Sequence, residues 1–230
     1  MQANSRKTRW SIIGYRRLDA LNILAIETAT DICSIAYFEN DAMQGIEEAN
    51  IPRKHAALLP MFYKTLQEKT HFNLNDLDGI AVSIGPGSFT GLRIGLSFTK
   101  GLTYSHDLPI IPVPTLQAIA SERNHDEEFY VLLFSHRDMI YHQNYSAAGQ
   151  LITDASVSKW SDLKPVIKNN ACVHVNCDKF LEDYERAKKV QPSAKNVGAL
   201  ALNHFEEWVE KKPYTLVPNY IAPFEMNKPA

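Results

Sequence analysis

Residues 80–96, IAVSIGPGSFTGLRIGL, are the part of the chain around which the fold is predicted to form. The first five are apolar except for one serine, which is typical of a short strand buried on both faces. Gly85 and Gly87 then permit backbone conformations that larger residues resist, and Ser88 or Thr90 can cap the helix that follows. The stretch therefore predicts a strand, a tight turn and the start of a helix.

The turn between this strand and helix is a candidate anion site. Unpaired N–H groups at a helix start, together with the helix dipole, favour a negative charge there. The patterns Gly-Lys-Ser/Thr and Gly-x-Gly-x-x-Gly are absent, so the glycines can equally serve only to turn the chain. A second candidate phosphate loop, 27–31, has an ordinary hairpin turn as its alternative. The candidate residues of the two nucleotide loops are Glu27, Thr28, Thr30, Gly85, Gly87, Ser88 and Thr90.

The helix predicted over residues 89–102 carries apolar residues on more than one side. Such a helix packs against its own sheet and against a second surface. Gly91 and Gly95 lie about one turn apart, and each weakens an isolated helix by about 1 kcal/mol relative to alanine. We therefore expect them to let a second backbone approach closely, either within the chain or from a partner.

The rest of the chain alternates between predicted strands and helices. In the first half, strands are predicted over 21–26, 32–38, 43–49 and 108–114, and helices over 54–66, where Pro60 marks a start or a bend, and 115–120. In the second half, strands are predicted over 129–134, 139–145 and 171–175, and helices near 179–189 and 193–211.

Three regions follow from these elements. Residues 1–20 are a basic N-terminal extension, residues 21–121 an N-terminal lobe, and residues 122–230 a C-terminal lobe with a tail. We expect the proline-containing tail, 214–230, to dock along the surface or to be partly disordered.

Composition excludes several classes of protein. A net charge of −2 gives no general nucleic-acid surface, and three cysteines are too few for a secreted disulfide scaffold. No run of about 18 apolar residues exists, so no membrane span is predicted. These features favour a cytoplasmic protein.

The sequence predicts no catalytic residue, no metal and no cofactor. Leu59 stands four residues after His55, where a helical histidine pair would need its second member. In a strand, Cys172 and His174 share a face while Cys177 points the other way. Ser88 is followed by Phe-Thr, unlike the Gly-x-Ser-x-Gly turn of a nucleophilic serine.

Three motifs together resemble the bacterial TsaB (YeaZ) family. They are ILAIETAT at 23–30, HAALLP at 55–60 and GPGSFTGLRIG at 85–95, in this order and spacing. The resemblance covers residues 21–120 and is weak beyond them, where residues 135–138 read SHRD instead of the family's Asp-Ala-Arg.

The resemblance implies a fold and a function. The fold is α/β and two-lobed, actin-like (the sugar kinase, Hsp70 and actin class, ribonuclease H-like), with mixed sheets flanked by helices. The function is that of a non-catalytic dimerisation subunit of the complex that makes threonylcarbamoyladenosine beside the anticodon of tRNAs reading codons that begin with A. Its partners would be a TsaD-type catalytic subunit and a TsaE-type ATPase. Alone it would form a homodimer, and tRNA would meet it only through the complex.

The resemblance also implies that the helices over 54–66 and 89–102 form the partner interface. Replacing Gly91 or Gly95 by a bulky residue is then expected to abolish partner binding and leave the monomer folded. The predicted interface residues are His55, Leu58, Leu59, Phe62, Tyr63, Leu66, Ser88, Phe89, Gly91, Leu92, Gly95 and Leu96.

Two other functions are possible from the sequence. An ATP-dependent enzyme of the actin and sugar-kinase type would use loops 27–31 and 85–91, and its ATP turnover would fall in Glu27→Ala. A protease would need a metal pair or a nucleophile with a base, and neither grouping is visible.

Overall fold

A computed structural model describes residues 20–122, 126–168 and 170–221. The basic extension predicted for residues 1–20 lies outside them, except for its last residue. The strands are β1 (Ile23–Glu27), β2 (Ile32–Glu39), β3 (Ala42–Asn50), β4 (Gly79–Gly85), β5 (Ile110–Pro114), β6 (Phe129–His136), β7 (Met139–Tyr145), β8 (Ser156–Lys159), β9 (Ala171–Val175) and β10 (Ala187–Lys189). The helices are α1 (His55–Thr70), α2 (Phe89–His106), α3 (Thr115–Ala120), α4 (Trp160–Ile167), α5 (Ala194–Asn203) and α6 (Phe205–Trp208).

The strands form two five-stranded sheets with the same topology. The first has the order β3-β2-β1-β4-β5, in which β1, β2 and β3 are antiparallel neighbours and β4 and β5 extend the sheet in parallel. The second has the order β8-β7-β6-β9-β10 with the same pattern of directions. This duplication confirms the predicted two-lobed actin-like fold.

The first sheet is covered on both faces. Consecutive residues of β1 point to opposite faces, and all five are buried. Leu24 and Ile26 pack against α1 and α2, whereas Ile23 and Ala25 pack against α5. Helix α5 therefore belongs to the first sheet, although its residues fall in the C-terminal lobe of the division predicted from sequence.

Helix α3 connects the two sheets. Ala118 packs in the core between the first sheet and α5, while Leu116 and Ile119 pack on the second sheet. The opposite face of the second sheet is covered by α4 through Leu163 and Ile167. None of the described helices is long and apolar enough to cross a membrane.

The boundaries confirm much of the secondary structure predicted from sequence. Helix α3 and strand β9 match residue for residue, and α1 starts at His55 rather than at Pro60, which lies inside it. The helix predicted near 179–189 is wrong, since a 3-10 turn (Asp178–Phe180) and the short strand β10 lie there. Strand β8 and helix α4 were not predicted.

The incorrect helix has a physical explanation. Its charged residues are common in helices and its apolar residues recur at helical spacing, but the structure brings those apolar residues to the second core from a 3-10 turn, a loop and an edge strand; they are Phe180, Leu181, Tyr184 and Ala187. Instead, the backbone passes beside β9, where the Cys172 amide donates to the carbonyl of Arg186. Strand β10 is an edge strand, and charged side chains are typical of exposed edges.

Candidate functional site

Glu27 ends β1 with its side chain fully buried. Its Oε1 accepts a hydrogen bond of 2.5 Å from the Ala29 amide, and its Oε2 accepts one from the Ser83 hydroxyl on β4. Burial raises the pKa of this carboxyl to about 7, although the two hydrogen bonds act in the opposite direction. A carboxyl at the head of a candidate phosphate loop is therefore bonded to the chain itself.

The loop that follows β1, residues 27–31, packs against the start of α2. The Ser88 amide donates to the Ala29 carbonyl over 2.7 Å, and the Thr28 hydroxyl donates to the Gly91 carbonyl over 2.9 Å. A Cβ built on Gly91 would overlap the Thr28 carbonyl oxygen, and one built on Gly95 would overlap the Thr28 hydroxyl. The close approach predicted at these glycines is therefore made by the chain's own loop.

The two candidate nucleotide loops thus lie together, but they contact each other directly. The Ser88 hydroxyl caps α2 by accepting from the Gly91 amide over 3.2 Å, and the Ser88 carbonyl accepts from the Leu92 amide. The Gly85 amide donates to the Thr115 hydroxyl. Because these groups bond within the chain, the geometry disfavours a phosphate at this helix start and the ATP-dependent alternative with it.

The remaining residues of these loops also have local roles or face solvent. The Thr30 hydroxyl accepts from the Ile32 amide, which is the pattern of an ordinary turn. Gly87 lies against Ala29, whose carbonyl oxygen a Cβ would overlap. Thr90 is exposed in the first turn of α2.

The predicted interface residues are mostly inside the protein. Eight of the twelve are buried, namely His55, Leu59, Phe62, Leu66, Gly91, Leu92, Gly95 and Leu96. Of the others, Leu58, Tyr63 and Phe89 are half-buried and Ser88 is exposed. The Nε2 of His55, for example, lies 3.1 Å from the Ile32 carbonyl oxygen. In the single chain the apolar side chains among these eight lie in the core under α1 and α2, and a role for the eight at an interface stays a prediction.

The outward sides of α1 and α2 carry residues that the sequence reasoning missed. Met61 on α1 is 53% exposed, and Gly101 on α2 is exposed with no atom within 4 Å of a Cβ built on it. Tyr63 and Phe98 bring the helices together, with ring centroids 5.9 Å apart. Within the helix predicted over 54–66, helical spacing places Met61 on the side opposite Leu59 and Leu66, which is the signal that could have found it.

A shallow groove lies on the outer side of α2. It is lined by Phe89, Thr90, Arg93, Ile94 and Ser97. The guanidinium of Arg93 stacks over the Phe89 ring, 3.7 Å from its centroid.

The C-terminal strap, residues 213–221, runs along α2 and borders this groove. Lys100 donates from Nζ to the carbonyls of Tyr214 and Leu216, over 3.0 and 2.6 Å. The Asn219 amide donates to the Ile84 carbonyl, and the Tyr220 hydroxyl accepts from Arg93. The predicted docking of the tail is confirmed for these residues, and 222–230 lie outside the described ones.

Lys100→Met is expected to loosen the strap without unfolding the lobe. The variant keeps an apolar stem of similar length but loses two charge-assisted hydrogen bonds, each worth about 1.5–3 kcal/mol. Hydrogen exchange at the Asn219 amide should then accelerate. Lys64→Met is the control, because Lys64 is an exposed residue of α1, and it should leave that exchange rate unchanged. Equal exchange rates in the wild type and both variants would contradict the role of Lys100.

The second lobe differs from expectation at its cysteines. Cys172 and Cys177 share one core cluster, because Cys177 follows the end of β9, where strand alternation no longer applies. Burial raises the pKa of both thiols to about 12. Within 20–122, 126–168 and 170–221, no group of three His, Cys, Asp or Glu residues could hold a metal ion.

The family model described as "TsaD: tRNA N6-adenosine threonylcarbamoyltransferase" matches residues 32–205. Two similar curated proteins are each called "tRNA threonylcarbamoyladenosine biosynthesis protein TsaB". That of Escherichia coli (strain K12) is 41% identical over 101 residues, 44% of this chain and 43% of the relative. That of Haemophilus influenzae (strain ATCC 51907 / DSM 11121 / KW20 / Rd) is 37% identical over 100 residues, 44% of this chain and 42% of the relative.

The chain thus matches less than half the length of these curated relatives. The solved structure "YeaZ from Pseudomonas aeruginosa" shares the fold, with a TM-score of 0.75 at 23% identity over 87% of this chain and 99% of that one. Since the family model matches most of the chain and similar curated sequences carry the TsaB name, the chain belongs to this threonylcarbamoyltransferase family, among its TsaB (YeaZ) members.

Proposed function

We propose that the chain is the non-catalytic dimerisation and scaffold subunit of a tRNA threonylcarbamoyltransferase complex. In this complex a TsaD-type partner transfers threonylcarbamoyl from its adenylate to the adenosine 3′ of the anticodon in tRNAs reading codons that begin with A. The observation that carries the proposal is the junction of loop 27–31 with the start of α2. There, Glu27, Thr28 and Ser88 bond to the chain's own groups and not towards an open site.

The outward sides of α1 and α2 are the proposed partner surface. Met61 exposes an apolar side chain there, and Ile94 is half-buried beside the groove. Gly101 costs α2 about 1 kcal/mol relative to alanine, and no neighbouring atom in the described chain requires a glycine. A partner helix that packs closely over Gly101 would explain it.

Further partners follow from the same proposal. The chain alone would form a homodimer through this surface, and the TsaD-type subunit would replace one copy. A TsaE-type ATPase would join the larger complex, tRNA would bind through the complex, and the assembly would work in the cytoplasm.

Reconstitution of the modification reaction tests this function. Purified TsaD-type and TsaE-type proteins, unmodified tRNA and threonylcarbamoyl adenylate are combined with and without the chain, and threonylcarbamoyladenosine is quantified by mass spectrometry. We expect modification only when the chain is present, and no ATP turnover by the chain alone. Modification at an equal rate without the chain, or ATP turnover that falls in Glu27→Ala, would contradict the proposal.

A further inference from the structure

The carboxyl of Glu27 has an unusual environment for an ionisable group. It is fully buried, and its hydrogen bonds come from one hydroxyl, on Ser83, and one amide, on Ala29. Among the described residues, no lysine, arginine or histidine pairs with it. A buried carboxylate without a cation is strongly disfavoured relative to the neutral acid.

The groups that face this carboxyl add no positive charge. From β2 comes the thiol of Cys33, and from β3 the carboxylate of Glu48, which also disfavours a second negative charge. Glu27 shares a face of β1 with Ala25, and on that face α5 contributes the buried, uncharged residues Ala194 and Val197. Helix α2 presents the uncharged backbone of Gly91 and Gly95 to the loop, as described above.

The loop's other carboxylate points elsewhere. Asp31 accepts a hydrogen bond of 3.0 Å from Asn176 of the second lobe and is only partly buried. It is therefore a matched control for a charge in this loop that is not enclosed.

Glu27 is mechanically linked to the start of α2. Its bond to the Ala29 amide shapes the loop, and the carbonyl of Ala29 in turn receives the Ser88 amide. One residue earlier, Thr28 bonds to Gly91 in the first turn of the helix. A change in the protonation of Glu27 can therefore be transmitted to the start of α2 through Ala29 and Thr28.

We propose that Glu27 is a proton-dependent latch, whose neutral carboxyl fastens loop 27–31 to β4 and to the start of α2, and whose ionisation loosens that junction. The neutral acid can donate from Oε2 to the Ser83 oxygen while Oε1 keeps the Ala29 amide. Ionisation leaves an uncompensated charge in the core, which is relieved when the loop opens to water.

The direction of the pH effect follows from the pKa. In the folded chain the pKa of Glu27 is raised from 4.5 to about 7. The stability that the neutral group contributes is therefore complete below about pH 4.5 and is lost as pH rises through 7. Between pH 5 and 8.5 the folding equilibrium constant should fall on the order of 100-fold from this group alone.

Urea unfolding of the chain alone at several pH values tests the latch, with Glu27→Gln and Asp31→Asn as variants. Glutamine has the same shape and cannot ionise. We expect the wild type and Asp31→Asn to lose stability between pH 5 and 8.5 relative to Glu27→Gln, and hydrogen exchange at the Ser88 amide to rise relative to Glu27→Gln over the same range. Parallel profiles for the wild type and Glu27→Gln would overturn the proposal.

A second measurement decides the matter if Glu27→Gln does not fold. The side-chain carboxyl carbon of Glu27 is titrated in the wild type by NMR. A midpoint near 7, accompanied by shifts at Ala29 and Ser88, supports the latch. A midpoint at the ordinary value for glutamate, or no shift at those residues, overturns it.

Discussion

Gly91→Ala is expected to lower the free energy of unfolding by about 3 kcal/mol, although it adds only one methyl group. The new Cβ would overlap the carbonyl oxygen of Thr28, and a backbone atom cannot move aside as a flexible side chain can. Loop 27–31 would have to leave α2, which breaks the bonds made by Thr28 and Ser88. Urea unfolding followed by circular dichroism measures the loss.

Gly101→Ala is the matched control in the same helix. No atom lies within 4 Å of a Cβ built on Gly101, so the substitution is expected to raise the free energy of unfolding by up to about 1 kcal/mol. Similar effects at Gly91 and Gly101 would show that helix propensity, and not the contact with Thr28, controls the result. This expected result differs from the sequence-based one, in which a change at Gly91 leaves the monomer folded, because the contact with Thr28 lies within the chain itself.

Met61→Arg is expected to weaken binding to the TsaD-type partner on the order of 100-fold while the chain remains folded. Met61 is 53% exposed on the outer side of α1, so arginine there costs the monomer little. In a complex that buries this side, the charge would be enclosed without a counterion. Isothermal titration calorimetry gives the affinity, and the urea midpoint of the variant checks its fold.

Val166→Arg controls for the general effect of an added charge. Val166 is 60% exposed on α4, which covers the second sheet. We expect wild-type affinity for this variant. Wild-type affinity for Met61→Arg as well, or equal loss in both variants, would remove the outward side of α1 from the proposed interface.

Local patterns predicted much of the fold. The buried strand, glycine turn and capped helix at residues 80–96 are present, since each depends on residues within a few positions of one another. The position of α5 could not be predicted, because nothing near residues 194–203 indicates which sheet they cover. The unbroken apolar run of β1 indicated only that both faces of the first sheet are covered, and not that α5 covers the face opposite α1 and α2.

The candidate site was predicted less completely. The sequence correctly indicated that something approaches Gly91 and Gly95 closely, but a glycine does not identify which chain makes the approach. Leu59, Leu66 and Leu92 were placed at an interface because apolar residues on a helix look the same whether they face a core or a partner. The enclosure of Glu27 depends on Ser83, 56 positions away, which only the fold brings near.

Light scattering coupled to size-exclusion chromatography tests the scaffold role most directly. The chain is measured alone and mixed with the TsaD-type protein from the same cell. We expect a homodimer that is replaced by a stable mixed complex, and loss of that complex in Met61→Arg. Separate elution of the two proteins under all conditions, with ATP hydrolysis by the chain alone, would contradict it.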